Sequence, residues 1–419
     1  MTSGPSINES PPQLRVALMS MHTSPTAELG GRETGGMNVY VLETAKRLAG
    51  LGIAVDVFVR RDNPSVPDIE QVDSFFRVIH IVAGPVERVE KEDMSPLIEE
   101  FAESVCHWTA EQNLDFDVVH SHYWLSIAAG VIVSKHWEVP HVGMFHTFGE
   151  IKILHGISAH ESIDRLKTES EVVSVLDRVI IASRHEGMLL KELYGVDESR
   201  LEIIPPGVDL KRFLPRNHLE AKSELNLPMD RLILLAGGRF ERLKGLDILL
   251  EALAKIDGPK ERWQLYLFGG NSHPDSLEER ERLFNLGKSL GIEENVTFMG
   301  SISHEILPSY YQASDLVIVP SLYESFGMVA LEALASARPL IASDVGGLPG
   351  MLGKSTNPDQ LPGILIPPSD VIRLSEAISS VMNESHIAEK LSLLARRRAM
   401  EYSWDSIAAD LSKLYRSLR

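Results

Sequence analysis

The chain has 419 residues, 44% of them hydrophobic and 24% charged, with a formal net charge of −18 and a pI near 5.3. That length suits two domains of roughly 100–200 residues each, and the acidic balance argues against a phosphate-backbone binder, so no nucleic-acid partner is expected. A single cysteine, Cys106, excludes an intrachain disulfide, suits a reducing compartment and reads as a small buried hydrophobe. No apolar run nears the ~20 residues of a membrane helix. Residues 1–12 are polar, without the charged-then-apolar pattern of a signal peptide. They read as a disordered lead-in, and the cytoplasm is the expected location.

In chain order, Leu14 to Met19 predicts a first strand. A Gly-rich loop from Gly30 to Gly36 follows, then a helix from about Met37 with Val41, Ala45 and Leu48 on one face, then a strand from Ile53 to Val59. This is a βαβ unit. Asp117–His120, Val142–Phe145 and Arg178–Ala182 are short and nearly all apolar, as parallel strands covered on both faces should be. Pro206 to Pro215 reads as a linker. A second series of strands follows: Leu232–Ala236, Gln264–Phe268, Val296–Met299, Leu316–Pro320, Leu340–Ala342 and Ile364–Ile366. Helical patterns alternate with them at Asp247–Ile256, Leu277–Leu290, Glu305–Ala313 and Met328–Ala335. The expectation is an α/β protein of two doubly wound domains facing a cleft, with ligands beyond the carboxyl ends of the strands. The expected boundaries are 13–207 and 208–400, with a last helix at about 401–419 returning to the first domain.

Four segments carry candidate chemistry. The strand ending at Pro320 leads into Glu324-Ser325-Phe326-Gly327-Met328-Val329 and, further on, Glu332. A helix starting here, capped by Ser325 or a neighbour, turns free amides and a partial positive charge toward a diphosphate. Glu324 and Glu332, eight residues apart, fall on one face roughly a dozen Å apart; a solvated helix face is the alternative. After the second domain's first strand, Gly237-Gly238-Arg239 to Lys244-Gly245 places Arg and Lys where they can clamp two phosphates. A solvated basic loop is the alternative there. In the N-terminal loop, Gly35 and Gly36 are adjacent, which is not the dinucleotide fingerprint, and Asn38 either caps the helix or touches an acceptor hydroxyl. The fourth set is His120-Ser121-His122-Tyr123-Trp124 with His146 to Lys152, at strand ends. Zinc on His120, His122 and His146 is an alternative, although no fourth ligand, H-E-x-x-H or Cys pair accompanies them. Lys91, Lys152 and Arg165 form either an anion pocket or separate surface charges.

Taken in order, Gly35-Gly36-Met37-Asn38-Val39-Tyr40-Val41, His120-Ser121-His122-Tyr123-Trp124, Gly238-Arg239 with Lys244-Gly245, and Glu324-Ser325-Phe326-Gly327 with Glu332 resemble the retaining GT-B nucleotide-sugar glycosyltransferases of family four. The resemblance runs from about Leu14 to the end. Two branches look similar: the inositol-phosphate N-acetylglucosaminyltransferases of mycothiol synthesis and the sucrose-phosphate synthases. Met37 favours the first, since the second usually has Gln there. His146 to Glu150 departs from the first beyond Thr147.

The resemblance implies a hexosyl transfer from a UDP-linked sugar to a phosphorylated acceptor, and no motif in the sequence requires a metal cofactor. It assigns Arg239, Lys244 and the backbone N–H of Gly36 to the leaving diphosphate, Glu332 to the ribose and Glu324 to the donor sugar. His146 is placed near the reacting carbon. Asn38 maps onto an acceptor contact. Lys91, Tyr123, Thr147 and Arg165 map onto acceptor-phosphate contacts of one branch, and Lys152 onto one of the other. From other classes, a nucleotide-sugar epimerase would work without an acceptor, and a periplasmic-type binding protein would have no use for the Arg239/Lys244 pair.

Overall fold

A computed structural model describes residues 12–27, 36–156, 161–269, 274–303, 305–353 and 360–419. The predicted lead-in and the loop from Gly30 to Gly35 lie outside the described residues, apart from Pro12. The first sheet holds β1 (Leu14–Met19), β2 (Ile53–Arg60), β3 (Ile69–Asp73), β4 (Phe76–Ile81), β5 (Val118–His122), β6 (His141–Met144), β7 (Arg178–Ile181) and β8 (Leu201–Ile203). Their order is β3-β4-β2-β1-β5-β6-β7-β8. Only the edge pair β3–β4 is antiparallel. The second sheet holds β9 (Leu232–Gly237), β10 (Trp263–Phe268), β11 (Val296–Gly300), β12 (Leu316–Val319), β13 (Leu340–Ser343) and β14 (Ile364–Ile366). It runs β11-β10-β9-β12-β13-β14, all parallel.

Central strands such as β2, β5, β12 and β13 are buried along their whole length. Helices covering both faces of a parallel sheet require this, and it explains the unbroken apolar runs. The edge strand β3 carries no such run: it reads Ile-Glu-Gln-Val-Asp and alternates between exposed and half-buried positions, so periodicity did not announce it. Strand ends differ from expectation by a residue or two. The 117–120 segment runs on to His122, which moves His120 from a strand end into the strand.

The last helix, Trp404–Leu418, buries Trp404, Ile407, Ala408, Leu411 and Tyr415. These join one core with β1, β2 and the helix Gly36–Gly50 of the first sheet. The chain returns through Val208, whose N–H donates to Tyr402 O at 2.8 Å. Gly207 fits there because a Cβ would stand 2.7 Å from the Trp404 ring.

Candidate active site

Both sheets reverse their winding beside their first strand. The crevice outside the carboxyl ends of the strands at such a point is where open α/β sheets bind ligands. In the second sheet the reversal lies between β9 and β12. The loop after β9 carries Arg239 and Lys244, and the loop after β12 carries Glu324. The two loops are stitched together. Leu322 N–H donates to Leu243 O at 2.7 Å, and Lys244 Nζ donates to Glu324 Oε1 at 2.5 Å. Gly245, at φ +60°, passes so near that a Cβ would lie 2.1 Å from Pro320 O. The Lys-Gly spacing is therefore a backbone requirement as well as a charge. Arg239 pairs with Glu241 at 3.0 Å, its side chain 73% exposed at the cleft mouth.

The helix Met328–Ala335 begins at the predicted residue, with a different start. Gly327, at φ +101°, occupies the cap position, and no side chain caps the helix. Ser325 is not the cap: its carbonyl accepts from Ser183 Oγ of the first domain at 3.2 Å. Glu324 lies outside the helix, fixed through its own carbonyl to Gly347 N–H at 2.9 Å. Glu332 is half-buried and accepts from Tyr311 OH at 2.7 Å. Burial raises its carboxyl to about 7, against the pull of the Tyr311 bond.

In the first sheet the reversal lies between β1 and β5. Tyr123 leaves β5 at φ +73°, and His146 follows β6 at φ +60°. Neither is glycine, so both hold costly left-handed backbone, a conformation that gathers at functional sites. His146 Nε2 and His122 Nδ1 are 3.1 Å apart, sharing one proton donor between them. Burial lowers the His146 imidazole to about 3, which keeps it neutral. The three histidines of the zinc alternative are engaged with one another and with Tyr415. His122 and His146 bond each other, His120 Nδ1 meets Tyr415 OH at 2.7 Å, and among the described residues no group of three or more His, Cys, Asp or Glu is placed to hold a metal ion.

The acceptor candidates are contiguous. Asn38 is no cap: it is buried in the helix Gly36–Gly50, and its Nδ2 donates to Thr23 Oγ1 at 2.7 Å and Ser24 O at 2.8 Å. Gly36, the first residue of that helix, is exposed with open space where a Cβ would be. The His22 ring lies 4.7 Å from Tyr123, and the Arg165 guanidinium sits 5.2 Å over the Tyr123 ring. Arg165 is not an open cation. It donates to Glu169 at 2.7 Å, Glu161 at 2.9 Å, Thr147 O at 2.9 Å and Thr147 Oγ1 at 3.3 Å. Lys152 also pairs with Glu161. Lys91 pairs with Glu92 at 3.6 Å, its side chain 41% exposed, and its charge reaches His22 and Tyr123.

Between the two sheets lies a cavity of about 110 Å³ lined by His146, Thr147 and Lys152 on one side and Arg239, Lys244, Glu324 and Ser325 on the other. Ligand pockets usually run to about 300–1,000 Å³, so a nucleotide sugar needs this cleft wider. A larger depression, about 560 Å³ around Arg338 and Arg396, contains none of the predicted residues.

Three lining or bridging residues escaped the sequence reading. Tyr323 crosses the cleft, stacking on His155 with ring centroids 3.8 Å apart. Glu186 accepts from Ala182 N–H at 2.7 Å while Ser183 Oγ accepts from Glu186 N–H at 3.2 Å. Ser183-Arg184-His185-Glu186 has the spacing of a capping box, with the carboxylate reaching the N–H one residue before the N-cap. Glu161 stands four residues before Arg165, an ordinary helical pair spacing.

Residues 34–212 match the family described as Glycosyltransferase Family 4, and residues 218–398 match Glycosyl transferases group 1. The chain is 36% identical over 406 residues to the D-inositol 3-phosphate glycosyltransferase of Nocardia farcinica, covering 96% of this chain and 89% of that one. It is 37% identical to the protein of the same name from Mycolicibacterium smegmatis, covering 95% and 91%. Among solved structures it resembles sucrose-phosphate synthase from Thermosynechococcus elongatus, with a TM-score of 0.84, 33% identity, and 97% and 99% of the two chains covered. Anabaena HepE, solved with UDP and glucose, shares the fold at a TM-score of 0.71 and 18% identity, with 97% of this chain and 100% of that one covered.

Proposed function

The chain belongs to glycosyltransferase family four and has the GT-B fold, and from that premise we propose that it moves a hexosyl group from a UDP-linked sugar to a phosphorylated polyol or sugar, with retention of anomeric configuration. The observation that carries this reading is the facing of two loop sets across one cavity. Arg239, Lys244 and Glu324 stand on one wall, and His146, Thr147 and Lys152 on the other. In this reading the diphosphate displaces Glu324 from Lys244 and takes Lys244 and Arg239 as its cations. Amides at Gly36 and at Gly327, Met328 and Val329, beside Ser325 and Phe326, add neutral donors. Glu324 turns to the donor sugar, Glu332 to the ribose, and His146, held neutral, donates or accepts one hydrogen bond beside the reacting carbon. Because cations of the chain carry the leaving-group charge, no metal cofactor enters the scheme, and EDTA should leave turnover unchanged.

For the acceptor, inositol phosphate is preferred, with N-acetylglucosamine as the hexosyl group. Met37 and the Lys91, Tyr123, Thr147, Arg165 set support it, as does the name carried by the relatives at 36–37% identity. Fructose 6-phosphate with UDP-glucose is the second reading, favoured by the likeness to sucrose-phosphate synthase and by Lys152 in the cavity wall. Asn38 serves the acceptor in both. The test is a product screen of UDP-N-acetylglucosamine and UDP-glucose against D-inositol 3-phosphate (the same compound as L-inositol 1-phosphate) and fructose 6-phosphate. Product formed without any acceptor would instead favour an epimerase.

A further inference from the structure

The cations that sequence reasoning assigned to an acceptor phosphate already hold an anion. Glu161 lies directly before the N-cap Ser162 of the helix Ile163–Val175. One of its carboxylate oxygens accepts from Arg165 at 2.9 Å, and the other pairs with Lys152. Its side chain is only 10% exposed and that of Arg165 only 5%. Arg165 is held on its remaining edges by Glu169 and by both oxygens of Thr147. Lys152, which shares Glu161 with Arg165, lines the cavity between the two sheets, so this is the edge of Arg165 that an anion in the cavity meets. A bidentate carboxylate spanning an arginine and a lysine has the charge sign and oxygen spacing of part of a phosphomonoester. Glu169 does not share this position, because its carboxylate is also tied to Gly149 N–H at 2.8 Å and Tyr194 OH at 2.9 Å, inside the fold.

We infer that Glu161 is a resident anion in the acceptor site, occupying the place of the acceptor's phosphate, and that it sets how strongly the enzyme discriminates phosphorylated from unphosphorylated acceptors. This rests on the phosphorylated-acceptor reading above. An incoming phosphate competes with Glu161 for Lys152 and Arg165, so its apparent affinity is reduced by the strength of the internal pair. A neutral polyol does not compete, and can use Glu161 as a hydrogen-bond acceptor. The resident carboxylate thus keeps two cations paired and lowers the advantage a phosphate would otherwise have.

The experiment measures kcat and KM for D-inositol 3-phosphate, inositol, fructose 6-phosphate and fructose in wild type and Glu161→Gln, with calorimetric binding of inorganic phosphate as a probe independent of acceptor identity. UDP binding by calorimetry reports whether each variant is folded, and Glu161→Ala is the second variant. The expected result is a KM for the phosphorylated acceptor lowered about tenfold or more in Glu161→Gln, tighter inorganic phosphate, and no gain for the unphosphorylated partner. An unchanged or raised KM for the phosphorylated acceptor, in a variant that binds UDP, overturns the inference while leaving the acceptor reading standing. A wild type that does not distinguish phosphorylated from free acceptor overturns that reading; a preference emerging only in Glu161→Gln would then still support Glu161 as the occupying anion. Loss of UDP binding in both variants makes Glu161 a structural brace and overturns the inference as well.

Discussion

Lys244 Nζ donates to Glu324 Oε1 across 2.5 Å, and this pair ties the loop after β9 to the loop after β12 at the reversal point of the second sheet. Each residue was singled out in the sequence for a ligand, and in the structure each satisfies the other. The pair keeps a partly buried charge from standing alone. If the diphosphate then takes over Lys244, Lys244→Ala should lower kcat about a hundredfold or more. Glu324→Gln should leave UDP binding equal or tighter while lowering turnover of the UDP-sugar. Steady-state kinetics with UDP calorimetry separates the two effects, and unchanged turnover in Lys244→Ala would remove it from the leaving-group role.

The backbone beneath Glu324 gives a second prediction. Gly346 has φ +55°, and a Cβ there would come within 1.8 Å of Glu324 O. Gly346→Ala must push that carbonyl away and hold a strained φ, together on the order of a few kcal/mol. The melting temperature should fall, and donor turnover should fall further than stability alone explains, because Glu324 moves with its carbonyl. An alanine variant with wild-type kinetics would show that this loop does not position the acid.

His146 and His122 predict a pH response. Burial lowers His146 to about 3 and His122 well below its usual 6.5, with His22, His120 and His141 also near 3. Their neutral forms are favoured when folded. The stability they contribute is present above pH 6.5 and is lost as pH falls toward 3. A kcat profile between pH 5.5 and 8 should show no limb near 6.5 from His146, and the melting temperature should drop below about pH 6. His122→Ala frees the His146 ring and should lower kcat about ten- to a hundredfold with little change in donor KM. A histidine limb near 6.5 assigned to His146 by its own substitution would contradict this.

Glu186 responds in the opposite sense. Burial raises its carboxyl from 4.5 to about 7, against the Ala182 N–H bond. The folded state therefore binds this proton more tightly than the unfolded chain. The associated stability is complete below pH 4.5 and is lost as pH rises through 7. Glu186→Gln should gain stability relative to wild type across that window, by up to about 3 kcal/mol. Paired denaturation curves at several pH values test it, and a difference that does not vary with pH would place the carboxylate in contact with water.

Much of the layout was legible because parallel strands covered on both faces leave apolar runs, as at Leu316–Val319, and because glycines with chemical side chains between them mark strand-to-helix turns, as at Gly238 to Gly245. Edge strand β3, where only Ile69 and Val72 are apolar and they fall on opposite faces, leaves no such run. Site chemistry was legible as residue types and illegible as pairings. Nothing in the spacing of Lys244 and Glu324, 80 residues apart, declares a bond. Arg165 read as a free cation because its partners Glu161 and Glu169 resemble any charged helix surface in sequence, and only burial shows that they fill its donors. The helix Met328–Ala335, which carries Glu332, has Gly327 in the left-handed cap position with no side-chain cap, and Ser325 is turned to Ser183 of the other domain.

The most direct measurement is acceptor-dependent release of UDP. The enzyme, incubated with UDP-N-acetylglucosamine or UDP-glucose, should release UDP rapidly with D-inositol 3-phosphate or fructose 6-phosphate and form a product bearing both sugar and phosphate, with the anomeric configuration of the donor retained. Release unaffected by every phosphorylated acceptor, or a product of inverted configuration, would contradict the account.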